Sequence, residues 1–132
     1  MPTFDDHTHS SAAPEAVWKL LYDPTRFTEW WVGVETVSSR VDDPTYTMYP
    51  TGYPDFPMPQ TLRADPPKQQ VSISCLVSDL QFVWQLGLAD DGRSTEIHVH
   101  VDIPDAEAAR LDAQRDIIHR SLGNLATLAA DS

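Results

Sequence analysis

Residues 95–128 read TEIHVHVDIPDAEAARLDAQRDIIHRSLGNLATL. Within this stretch the spacing of the apolar residues changes once. Up to Ile103 it is two: Thr95, Ile97, Val99, Val101 and Ile103 share one face, and Glu96, His98, His100 and Asp102 share the other. That is the pattern of a half-buried strand. From Asp105 the period becomes 3.6, and Leu111, Ile118, Leu122, Leu125 and Leu128 form one stripe. Asp105 is a fair N-cap, and Glu107 suits the positive end of a helix. A helix of about 25 residues would be about 38 Å long, enough to cross a small domain. An alternating strand followed by one long amphipathic helix predicts a sheet layered on a helix, an α+β plan.

Working back from there, Phe82, Trp84, Leu86 and Leu88 alternate in the same way, so Trp84 should point toward the long helix. Asp91-Gly92 marks the hairpin between these two strands. Residues 70–77 alternate too, with Val71, Ile73, Cys75 and Val77 on one side and Ser72, Ser74 and Ser78 on the other. Earlier strands are expected at 3–11, 34–41 and 45–49. Seven of the eleven prolines fall between Pro44 and Pro67. Proline cannot donate to a sheet ladder, so edge strand and loop are expected there. The run YPTGYPDFPMP (49–59) carries Tyr49, Tyr53, Phe56 and Met58, a heavy apolar load for a loop in water, and it suits a lid or rim. Near the start, Pro14 fits a first helical position, with Val17, Trp18, Leu20, Leu21 and Tyr22 as the apolar stripe. Asp23-Pro24 opens a second short helix carrying Phe27, Trp30 and Trp31, which Gly33 ends.

Composition narrows the function. A chain of 132 residues, 41% hydrophobic and 22% charged, is read as one folded domain, 1–132. Nine basic against twenty acidic residues give a formal charge of −11, which would repel nucleic acid and anionic membranes. The single cysteine, Cys75, permits no intrachain disulfide. No stretch approaches the length of a membrane span, and residues 1–10 carry no apolar leader segment. A cytoplasmic monomer or homodimer is expected. Nucleotide-binding glycine loops, zinc-protease helices, serine-hydrolase elbows and C-x-x-C pairs are all missing from the sequence.

The order of strand, two short helices, strand meander and terminal helix resembles the START-like (SRPBCC) superfamily. That superfamily includes the birch-pollen allergen and the polyketide cyclase/dehydrase families. The local likeness is carried by Ala13-Pro14-Glu15-Ala16-Val17-Trp18, by Asp23-Pro24, by Phe27-Thr28-Glu29-Trp30-Trp31 and by Ser121-Leu122-Gly123-Asn124-Leu125. The resemblance implies a helix-grip fold: a curved antiparallel sheet of six or seven strands wrapped on the C-terminal helix, with a cavity between them for a hydrophobic small molecule. It also implies that the first and last strands are neighbours, and that Phe4, Asp6, Thr8 and Ser10 face inward.

On this plan the candidate ligand-binding residues are Phe27, Trp31, Tyr46, Met48, Tyr49, Phe56, Leu62, Cys75, Trp84, Ile118 and Leu122. No cofactor and no metal is expected. Gly123 costs about 1 kcal/mol inside a helix, and it is either space for the sheet or a ligand, or a tolerated surface glycine. The two H-x-H pairs, His7/His9 and His98/His100, each put two rings on one strand face. Imidazoles with carboxylates nearby suit a metal, but the inward Ile97, Val99 and Val101 turn His98 and His100 outward, so a solvated polar face is the stronger expectation. His119 is expected on the surface. Asp6 is either a solvated residue at a frayed strand end or a cavity carboxylate paired with Arg40 or Arg63. Three functions follow. The first is burial of a small hydrophobic or aromatic ligand. The second is a polyketide cyclase/dehydrase reaction using Asp6, Tyr46, Tyr49 or Arg63. The third is a protein-docking module built on YPTGYPDFPMP.

Overall fold

The computed structural model describes residues 2–40 and 43–131. Seven strands form one antiparallel sheet: β1 (Thr3–Ser10), β2 (Val34–Ser39), β3 (Thr45–Pro50), β4 (Met58–Asp65), β5 (Gln70–Cys75), β6 (Gln81–Leu88) and β7 (Thr95–Asp102). Their spatial order is β1-β7-β6-β5-β4-β3-β2, so the first and last strands are neighbours. Helix α1 (Pro14–Leu21) and a 3-10 helix (Pro24–Glu29) connect β1 to β2. The C-terminal segment starts as a 3-10 turn (Asp105–Arg110) and continues as α2 (Leu111–Asp131). This is the helix-grip α+β architecture.

The alternation holds where strands pair on both sides. Val71, Ile73 and Cys75 are buried, as are Phe82, Trp84 and Leu86 and all of Thr95, Ile97, Val99 and Val101. It fails at strand ends. Val77 is exposed because β5 stops at Cys75 and the chain turns through Asp79 at φ 59. Leu88, the last residue of β6, is also exposed. The strand expected at 34–41 ends at Ser39, and Val41 lies outside the described residues. The expected long helix keeps its position, but Pro104 takes the N-cap place and the first six residues wind as 3-10. Trp30 and Trp31 lie just beyond the short helix that was expected to carry them.

The proline-rich stretch corrects one expectation. It forms β3 and β4, which are interior strands, while β1 and β2 are the edges. The prolines avoid the middle of the ladder. Pro50 ends β3, Pro59 is the second residue of β4, and Pro66 and Pro67 lie in a short 3-10 turn. A missing N–H at a strand end leaves the central pairing intact.

The core is aromatic. Trp30 stacks on Trp31 with 5.3 Å between ring centroids and meets Trp84 edge-on at 5.2 Å. Phe27 touches Trp30, Trp31 and Tyr46. Trp30 Nε1 donates to the Leu20 carbonyl at 3.0 Å, tying this cluster to α1.

Buried polar side chains fasten α2. Ser10 Oγ donates to the Ala126 carbonyl at 2.8 Å, and Ser121 Oγ accepts from the Val32 amide at 2.9 Å. Asn124 Nδ2 donates to the Trp30 carbonyl at 3.2 Å. The segment Ser121-Leu122-Gly123-Asn124-Leu125 therefore clamps α2 to the turn before β2. Gly123 itself is exposed, and a Cβ there would meet nothing within 4 Å, so it is a surface glycine.

Candidate functional site

A cavity of about 230 Å³ lies between α2 and the β2–β5 half of the sheet. Its floor comes from register. Tyr46 pairs with Gln60, and Gln60 with Cys75, so three inward side chains form a row straight across β3, β4 and β5. Adjacent strands are about 4.8 Å apart, so the row spans roughly 10 Å. Met48 and Met58, paired in the next inward row, extend the floor toward solvent. The roof is one face of the C-terminal helix, with Arg110, Gln114 and Ile117 at i, i+4 and i+7. Trp31 and Phe82 close the inner wall, edge to face at 5.1 Å. Pro50, Thr51 and Tyr53, from the proline-rich connection, form part of the rim.

The polar groups here are few, and most lack partners. The Tyr46 hydroxyl makes no hydrogen bond among the described residues, although the residue is only 4% exposed. Burial, with a smaller push from nearby Cys75, holds its phenol far above the ordinary value. It therefore keeps its proton and acts as a hydrogen-bond donor, never as a base at neutral pH. Gln60 is equally buried, and its Nε2 makes one long bond to the Met58 carbonyl at 3.4 Å. Both polar tips open onto the cavity, where water or a ligand can meet them. An engineered apolar cavity of about 150 Å³ takes benzene. The space here is larger and carries polar atoms, which suits a ligand of about two fused rings with one or two polar substituents.

The expected ligand residues divide into three groups. Trp31, Tyr46, Met48 and Cys75 line the cavity. Phe27, Trp84, Ile118 and Leu122 are buried in the closed end of the core and do not line it. Leu62 packs against the core beside it, while Tyr49 and Phe56 point elsewhere, Phe56 being exposed. Gln60, Ser78, Arg110, Gln114 and Ile117 line it without having been anticipated. Trp84 Nε1 is buried with no partner among the described residues.

The proposed acid–base set does not converge. Asp6 is in mid-strand, facing α2, where its carboxylate pairs with His119 Nδ1 at 3.1 Å. Its partner is thus neither Arg40 nor Arg63, and it is neither frayed nor in the cavity. Arg63 is exposed on the other face of β4, opposite Ser72. Tyr46 alone of the four reaches the cavity.

The remaining histidines face outward, where β1 pairs with β7. His7 stacks on His98 with 5.5 Å between ring centroids. Asp91 accepts from the Ser94 hydroxyl, so Ser94 Oγ can only accept from His9 Nε2. This Asp–Ser–His order is not that of a nucleophilic triad, in which the carboxylate orients the histidine. Among the described residues no group of three or more histidine, cysteine or carboxylate side chains is placed to hold a metal. His100 lies between Asp5 at 2.9 Å and Asp102 at 3.0 Å. The hydrogen bond to Asp5, then that to Asp102, hold its pKa above the ordinary 6.5 against partial burial. A raised folded pKa stabilises fully below the unfolded value, and the contribution is lost as pH rises through the folded value. The pair is exposed, so the effect is small. His100→Gln should lower the melting temperature slightly at pH 5.5 and not at pH 9. Thermal unfolding of both proteins across that range checks this, and a constant offset at every pH would overturn it.

No family model matches this sequence. No curated protein matches it either. Solved structures do. The protein XoxI from Bacillus cereus superposes with a TM-score of 0.78 at 15% identity, covering 99% of this chain and 97% of that one. A Thermobifida fusca protein gives 0.76 at 16%, covering 99% and 95%. The di-domain aromatase/cyclase BexL of the BE-7585A biosynthetic pathway gives 0.77 at 13%, covering 96% of this chain and 46% of that one. The fold is shared with an aromatase/cyclase. At such identities the likeness is one of fold.

Proposed function

We propose that this protein binds a small aromatic or hydrophobic molecule in the cavity between α2 and strands β3–β5, and that it belongs to the polyketide-cyclase-like branch of START-like proteins. The observation that carries the binding reading is the cavity itself, about 230 Å³ and walled largely by apolar side chains, onto which the protonated Tyr46 hydroxyl opens without a protein partner among the described residues. Affinity comes from burial of apolar area, about 25 cal/mol per Å², and orientation comes from Tyr46 and Gln60. The fold likeness to BexL supports the branch.

Two other readings have less support. An aldol cyclisation or dehydration needs a base within hydrogen-bond reach of the abstracted proton, and no carboxylate or imidazole lines the cavity among the described residues. A docking module would present the proline-rich connection with nothing behind it, whereas Pro50, Thr51 and Tyr53 border the cavity.

Titration calorimetry with 2-naphthol tests the binding reading. A dissociation constant of about 10–100 μM is expected, within the range open to a ligand of about eleven heavy atoms. Cys75→Phe places a ring at the β5 end of the floor row and should weaken binding at least tenfold, an expectation from steric exclusion, while the protein stays folded by circular dichroism. No binding, or equal binding by the variant, would overturn the reading.

A further inference from the structure

The formal charges of this chain are distributed against the cavity in an uneven way. The protein carries twenty acidic and nine basic residues. The described residues lining the cavity include no Asp, no Glu, no Lys and no His, and one Arg. That residue, Arg110, stands at the junction of the 3-10 turn and α2. Its side chain is 43% exposed, which places it at the mouth. Among the described residues its one ion pair is to Glu107 at 3.5 Å, an i,i+3 contact too long for a good hydrogen bond. Such exposed pairs are weak and readily exchanged. Gln114 lies one turn farther along the same face, about 6 Å deeper by helix geometry. Tyr46 and Gln60 lie opposite on the sheet. From mouth to floor the cavity thus offers a cation, then amides and apolar wall, then a protonated phenol.

We propose that the ligand is an aromatic carboxylic acid, bound as its carboxylate to Arg110 with the ring system directed toward Tyr46 and Gln60. The inference rests on the binding reading above and adds the charge and the direction of the ligand. A single guanidinium matches a single carboxylate through two parallel N–H···O bonds. A phosphate dianion would leave one charge uncompensated here. A polar substituent at the ring end would meet the Tyr46 hydroxyl, which as a protonated phenol donates one hydrogen bond and can accept another.

The test compares 2-naphthoate, its methyl ester and naphthalene-2-sulfonate by titration calorimetry at low salt. The wild-type protein should bind 2-naphthoate about tenfold more tightly than the ester, and the sulfonate more weakly than the carboxylate. Arg110→Gln should weaken binding of the acid about tenfold more than that of the ester and so remove the preference. Arg110→Lys should keep part of the preference, and Glu107→Gln should increase it by freeing the guanidinium. Thermal unfolding of each variant confirms that it is folded. Equal affinity for acid and ester, both binding, would overturn the carboxylate inference and leave the binding reading standing. Stronger binding of the sulfonate would overturn it in the same way. If none of the three binds, both fail together.

Discussion

Trp30→Ala should destabilise this protein by about 4 kcal/mol, the middle of the range for removing a buried aromatic ring. Trp30 is 1% exposed and sits at the junction of Phe27, Trp31 and Trp84. Its removal opens a void among rings that are themselves held by strands and cannot follow it. It also leaves the Leu20 carbonyl without the indole N–H it accepts at 3.0 Å. Domains of this size are stable by roughly 5–15 kcal/mol, so the variant would keep only part of its margin. The melting temperature should fall by roughly 15 °C. Urea unfolding followed by circular dichroism measures the loss, and Trp30→Phe separates its parts. Phenylalanine keeps much of the ring packing and loses the hydrogen bond, so about half the cost should remain. A loss under about 1 kcal/mol for the alanine variant would mean that the aromatic cluster yields more readily than a close-packed core.

Ser121→Ala should cost about 2 kcal/mol, large for the loss of one oxygen. The reason is position. Ser121 is fully buried, and its hydroxyl donates to the Ile117 carbonyl at 2.7 Å while accepting from the Val32 amide at 2.9 Å. Alanine returns the first partner to ordinary helix bonding and strands the second. The exposed Ser38 is the control, since Ser38→Ala should change stability by less than about 0.5 kcal/mol. Amide exchange at Val32 gives a sharper readout than the global loss. It should speed up in Ser121→Ala beyond what the overall destabilisation explains. Unchanged relative protection at Val32 would show that this amide finds another acceptor.

The layers were legible in the sequence because burial imposes a period. The change from two to 3.6 near Ile103 separates β7 from the C-terminal helix, and the inward row of β6 follows by parity. The same parity also sorts Tyr46 and Met48 from Tyr49, which is on the opposite face of β3. The cavity was less legible. Phe27, Trp84, Ile118 and Leu122 face inward as surely as Trp31 does, but the sheet closes on α2 at their end and stands off at the other. Which end stays open depends on curvature, which no local pattern encodes. Gln60 and Gln114 were missed because a search for apolar stripes passes over amides. For Gln114 a signal existed. Arg110, Gln114, Ile117 and Ser121 recur at helical spacing, a second stripe beside Leu111, Ile118, Leu122 and Leu125. Gln60 needed the register of β3 on β4, which the prolines around it obscured.

The fastening of α2 is uneven. It packs most extensively on β1, where Ser10 holds the Ala126 carbonyl and Asp6 meets His119. Ser121 and Asn124 add a second line at the turn before β2. Between Arg110 and Ile117, over the floor row, no hydrogen bond joins helix to sheet among the described residues. The first two turns of the helix are held there by packing instead, with Leu111 and Ile117 against the core and the Arg115 guanidinium 5.8 Å from the centre of the Phe4 ring. Side-chain packing, and not a hydrogen bond to the sheet, therefore sets the width of the gap above the floor row.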